Sequence, residues 1–142
     1  MTDIRDTRDV PRHAPPHRSY SEPFWEGTRQ RRLLLQYDPQ VGRYQYYPRP
    51  CSLFTGRRAL EWREVEGRGE VYSYTIARRA RPPFQGHEPF IIAVVHLPED
   101  VQIMGDMVNC PAETIRVGLK VKPYWHPLGD GTHLLMFEPD GE

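Results

Sequence analysis

Prolines cut this chain into pieces too short for long helices. There are 15 of them in 142 residues. Proline lacks the backbone donor that a helix interior needs, and its ring clashes with the preceding turn. They cluster in "VPRHAPPH" near the start, then in "YPRP", in "RPPF" and near the C-terminus. The first cluster reads as a flexible leader, residues 1–20, expected to be poorly ordered unless something pins it. The others punctuate strands, so the chain is expected to be mainly β. Its length allows one domain with a single sizeable core.

One helix start survives. In "SYSEPFWEGTRQRRLLLQY", Ser19 or Ser21 suits a helix cap, Ser19 with Glu22 fits a capping box, and Pro23 is tolerated in a first turn. A short helix over about 21–30 follows. Its Phe24 and Trp25 need burial, on the core or on a partner. Leu33 to Tyr37 and "RYQYYPRP" then pair as a hairpin around the Pro39–Gly42 turn.

From Leu60 the pattern is β throughout. "LEWREVEGRGEVYSYTIARR" alternates but is broken by Gly67 and Gly69, where a bulge or sharp coil is expected. "PFIIAVVHL" is a continuous apolar run, suited to a strand buried on both faces. "VQIMGDMVN" alternates again. "PAETIRVG" reads as a short helical or turn connector, and "LKVKPYWH" and "HLLMFEP" close the chain around the turn at Gly129–Gly131. About five strands with one connector before the fourth fit a partly open OB barrel over residues 59–142. An up-and-down sandwich is the competing architecture.

Acidic and basic residues balance at 19 each, which argues against a strongly basic nucleic-acid binder. No apolar run is long enough to cross a bilayer, and the N-terminus lacks a signal-like apolar core. These features point to a cytoplasmic protein, with no membrane association and with Cys51 and Cys110 as free thiols.

Residues 37–54, "YDPQVGRYQYYPRPCSLF", resemble a metal site with most of its ligands removed. A zinc ribbon closes a tetrahedral site with a Cys pair from each of two turns. Here the first turn offers Asp38 and Val41, the second Cys51 and Phe54. Val41 and Phe54 cannot ligate a metal, so no zinc is expected. Packing is expected to hold the ribbon instead, with Val41, Phe54, Tyr44 and Tyr46 between the turns.

Catalytic signals are weak. There is no nucleophile elbow, phosphate loop or His-rich metal motif. Of the six histidines, His13 and His17 lie in the leader and read as solvated, and His96 reads as a structural histidine. His87–Glu88 is a loop pair with only adjacency to recommend it. Neither cysteine has a recognisable base beside it. Tyr72 and Tyr74, followed by Arg78, Arg79 and Arg81, could form a stacking platform for single strands. Their bland reading is sheet packing and a solvated strand end.

The order "PFWEG", "RLLLQ", "GRYQYYPRP-C", "LEWREVEGRGEVYSYTIARR", "ETIRVGLKVK" resembles the zinc-ribbon/OB-fold acyl-CoA-associated family, formerly known only as a domain of unknown function. The resemblance runs from about Glu22 to Pro139. It implies an N-terminal helix, a rubredoxin-like ribbon over residues 21–58 and an OB barrel. It places the family's four zinc cysteines at positions 38, 41, 51 and 54, of which only Cys51 is kept. It further implies a non-catalytic accessory subunit that binds a thiolase-fold enzyme and helps to hold its coenzyme A thioester substrate. A MaoC-like, hotdog-fold enoyl-CoA hydratase is the alternative partner. A stand-alone OB module for single-stranded nucleic acid is the alternative from another class, although the neutral charge speaks for no nucleic acid.

CoA phosphates need cations, and the planar fork of arginine suits them. Arg49, held between Pro48 and Pro50, is the candidate, with Tyr46, Tyr47 and Pro48 beside it. Phe24 and Trp25 are the candidate partner interface.

Overall fold

The break at Gly67 and Gly69 is where the chain changes sheets. In the computed structural model, which describes residues 4–141, the segment before the break is strand β3 (Glu61–Val65) and the one after it is β4 (Gly69–Ala77). β3 does not enter the barrel. It pairs antiparallel with β1 (Leu33–Asp38), which also pairs with β2 (Arg43–Gln45), giving a three-stranded sheet in the order β2-β1-β3. Gly67 has φ +80°, and a Cβ there would lie 2.7 Å from the Pro123 ring. A Cβ at Gly69 would lie 2.3 Å from the His96 carbonyl oxygen. Only glycine permits so abrupt a turn with such close backbone approach. The bulge itself falls later, between Val71 and Ser73.

The remaining strands are β5 (Phe90–His96), β6 (Gln102–Met107), β7 (Lys120–Pro127) and β8 (His133–Pro139). With β4 they close a barrel in the order β4-β5-β6-β8-β7, with β6 and β8 parallel through Met107 and Phe137. This is the OB order, and it excludes the sandwich. Inside lie Val71, Ile91, Ala93, Val95, Ile103, Val121 and Phe137.

One expectation is corrected. β5 is fully buried on one face only: Ile91, Ala93 and Val95 point inward, while Ile92 and Val94 are half-covered. An OB barrel has a solvated outer surface, so a central strand keeps one open face. Of the two readings of residues 111–118, helical or turn connector, the structure shows turns, ending at Gly118 with φ +90°.

Helix α1 (Glu22–Arg29) starts after Ser21, with Pro23 in its first turn. The Ser21 hydroxyl does not cap the helix; it donates to the Arg18 carbonyl. The far end is tied to the barrel. Thr28 Oγ1 accepts the His133 N–H at 3.1 Å, and His133 Nδ1 faces the Thr28 carbonyl at 2.8 Å.

The leader is not loose over its described part. Thr7 and Val10 are buried. Asp106 on β6 accepts from the Thr7 hydroxyl and the Arg12 guanidinium. Arg8 donates to Asn109 and lies 4.8 Å from the centre of the Tyr124 ring. Composition marks a segment as polar, but it does not show that arginines find a carboxylate and an aromatic face across the barrel.

Candidate functional site

The ribbon is held by polar bonds where packing was expected. Val41 and Phe54 are exposed, so neither fills the space between the turns. Asp38 fills it instead. Its carboxylate is buried and accepts from the Gln40 N–H at 2.9 Å and the Thr55 hydroxyl at 3.2 Å. The Ser52 oxygen accepts the N–H groups of Phe54 and Thr55, which leaves its proton for Asp38. The Ser52 hydroxyl is the main reason the Asp38 carboxyl sits below its ordinary value, followed by bonds from Gln40, Thr55 and Val41. One carboxylate thus ties the first turn to the second.

A second tie lies two residues back along β1. Gln36 and Gln45 are partners in the β1–β2 register, and both are buried. Gln45 donates to Gln36 Oε1 at 2.8 Å and accepts the Leu53 N–H at 2.8 Å. Gln36 donates to the Arg49 carbonyl at 2.8 Å and accepts the Arg49 N–H at 2.9 Å. Two buried amides therefore satisfy the irregular backbone of the second turn, which has no strand partner of its own. Outside, Arg43 covers the Phe54 ring at 4.3 Å and Arg63 covers Tyr37 at 3.7 Å.

This arrangement does not fit zinc. Of the four ribbon positions only Asp38 and Cys51 carry donor atoms, and the Asp38 oxygens are already engaged. Among the described residues no group of three or more His, Cys, Asp or Glu side chains could hold a metal. Cys51 and Cys110 are both free thiols, and burial pushes the Cys110 thiol up, away from the reactive thiolate.

The four consecutive site residues of the second turn differ in exposure, and Phe24 of the helix lies 6.1 Å from both Tyr46 and Tyr47. Arg49 is exposed, and its backbone is clamped on both sides by Gln36. Tyr47 beside it is exposed and Pro48 is buried. Tyr46 is mostly covered; burial, helped by Tyr47, pushes its phenol up to about 12, so it stays neutral.

Phe24 and Trp25 are corrected as interface anchors. Each is only 4% exposed within this chain alone. Phe24 meets Trp25 edge-on at 5.1 Å and reaches Tyr46 and Tyr47 at 6.1 Å. Trp25 stacks on His17 at 5.1 Å with the rings 4° from parallel, so His17 is not a solvated leader residue. These aromatics bridge leader, helix and ribbon. They are the reason the Tyr46–Arg49 turn has a firm floor.

Sequence reasoning missed Gln36, Gln45 and Ser52, and it valued Asp38 only as a metal donor. The available signal was two glutamines at strand positions flanked by apolar or aromatic neighbours. It also missed His133 as the tie to α1. His96 lies at the seam between ribbon and barrel, with Nε2 3.7 Å from Asp100. His126 is held below its ordinary value by burial and by Arg12 and Arg8.

Barrel and ribbon together define an OB-fold protein with an appended, polar-bonded ribbon hairpin. Residues 62–126, a little under half of the chain, match the family model described as ChsH2, C-terminal OB-fold domain. It is 32% identical over 120 residues to a probable enoyl-CoA hydratase alpha subunit of Thermomonospora curvata, a match covering 82% of this chain and 36% of that protein. It is 34% identical over 68 residues to a DUF35 domain-containing scaffold protein of Methanocaldococcus jannaschii, covering 46% of this chain and 48% of that protein. The chain thus spans less than half the length of either of these relatives. Among solved structures, a chain described as Ltp2-ChsH2(DUF35) aldolase is similar with a TM-score of 0.78 at 26% identity, over 90% of this chain and 100% of that one.

Proposed function

We propose that this chain is a non-catalytic accessory subunit that docks on a thiolase-fold enzyme and helps to hold its acyl-CoA substrate. The reading is carried by the likeness to the aldolase chain, which extends over the whole of that neighbour. It is supported by what this chain lacks and what it presents. No catalytic constellation is built among the described residues, and the ribbon presents Arg49 on a clamped turn. The clamp fixes the backbone from which the Arg49 guanidinium reaches, so the turn is already ordered before the side chain meets a CoA phosphate. Tyr47 and Tyr46 supply aromatic surface beside it, and no helix among the described residues is long and apolar enough to cross a membrane.

A second reading has its own support. The Thermomonospora relative is described as a hydratase subunit, which favours a MaoC-like, hotdog-fold partner. Co-expression separates the two. The chain should co-purify at fixed stoichiometry with a thiolase-fold enzyme of its own genome, and the complex should bind acyl-CoA more tightly than the enzyme alone. Co-purification with the hotdog-fold protein instead would establish the second reading. Co-purification with neither would end both.

A further inference from the structure

β4 is paired on one side along its whole length and on the other side hardly at all. It pairs with β5 from Glu70 to Ala77. Its other neighbour, β7, pairs only at Gly69 and Glu70, with two further backbone bonds at Val71 to Gly118 and Leu119. From Tyr72 to Ala77 that second edge has no strand partner among the described residues. Six residues span about 20 Å, the length of an ordinary strand.

The edge lacks two of the usual protections, charge and proline. Tyr72, Ser73, Tyr74 and Thr75 are all exposed, with Tyr72 at 58% and Tyr74 at 41%. The stretch from Tyr72 to Ala77 is uncharged, and its one register shift falls at its start, at Tyr72. Exposed edges of this kind pair with other chains unless blunted by charge, proline or a cover. At the end of the strand stand Arg78, Arg79 and Arg81. All three are exposed, and none makes an ion pair among the described residues.

We infer that the β4 edge from Tyr72 to Ala77 is a strand-addition site for an extended segment of the partner enzyme, with acidic residues at the end that lies beside Arg78 and Arg79. The backbone groups of β4 supply the hydrogen bonds, and Tyr72 and Tyr74 grip alternate side chains. The three unpaired arginines choose the sign of the flank. This inference rests on the accessory-subunit reading and locates its docking contact away from the ribbon.

The test uses the full chain, alone and with the candidate thiolase-fold and hotdog-fold enzymes of the same genome. Amide hydrogen exchange is followed across β4, and binding is measured for the wild type and for Arg78→Glu/Arg79→Glu. Both substitutions lie outside the strands, so thermal stability should not change. The expected result is at least about tenfold slower exchange within Tyr72–Ala77 in the complex, and about tenfold weaker enzyme binding by the double variant. A complex that leaves these amides unprotected would overturn the strand-addition site while the accessory reading stands. No complex with either enzyme would remove both. Protection that appears in the chain alone and grows with its concentration would assign the edge to a second copy instead. Salt-sensitive binding of a labelled single-stranded oligonucleotide, lost in the double variant with no enzyme present, would assign the tyrosines and arginines to nucleic acid.

Discussion

Gln36 and Gln45 face each other across the β1–β2 hairpin, joined by a 2.8 Å hydrogen bond between their side-chain amides. Around them the second turn of the ribbon is hung. Gln36→Leu keeps the volume but strands the Arg49 N–H and carbonyl and one Gln45 bond. Each stranded buried group costs about 1–3 kcal/mol. The variant should lose at least about 2 kcal/mol in urea unfolding. Hydrogen exchange should show residues 48–54 opening first.

Elemental analysis of purified protein should find no stoichiometric zinc, and a chelator should leave the melting temperature unchanged. About one zinc per chain, lost together with the fold on chelation, would contradict the polar hub at Asp38. The hub also makes a pH prediction. The folded Asp38 carboxyl lies below its ordinary value of 3.8. Its contribution is therefore complete above that value and is lost as pH falls through the lower folded value. Asp38→Asn should reduce this acid-side slope of stability.

Trp25 belongs to the core, and Trp25→Ala should behave accordingly. Removing a buried indole typically costs about 3–5 kcal/mol. The melting temperature should fall steeply, with Trp25→Phe in between. A variant as stable as the wild type, impaired only in enzyme binding, would restore the interface role.

Arg49→Ala should do the opposite. The Gln36 clamp holds the backbone of Arg49, so it survives truncation of the exposed side chain. Stability and complex formation should be nearly unchanged. Affinity of the assembled complex for acyl-CoA should fall by about ten- to a hundredfold, the worth of one charge-assisted contact. Isothermal titration with wild type and variant reads both quantities.

Asp106 is the anchor of the leader, accepting from Thr7 and Arg12. Asp106→Ala should release it. Limited trypsin digestion should then cleave at Arg8, Arg12 or Arg18 markedly faster than in the wild type, while the barrel core stays resistant.

Much of this architecture follows from local pattern. Proline spacing excluded long helices, alternation marked the strands, and the glycines at 67 and 69 marked the sharp break. Each works because a backbone rule acts within a few residues of its cause. The residue types at the degenerate turns were likewise enough to raise the expectation of a ribbon without zinc, because Val41 and Phe54 carry no donor atoms. What local pattern could not decide was partnership. Alternation tells which faces of Glu61–Val65 differ, but not that β1, thirty residues earlier in the chain, would take it from the barrel. Hydrophobicity requires Phe24 and Trp25 to be buried, but it does not say whether against Tyr46 and His17 or against another protein. A glutamine or an aspartate in a sequence is only a polar residue. Gln36, Gln45 and Asp38 became the framework of the ribbon because folding set their donors and acceptors within 3 Å or so of an irregular turn that had no other partners.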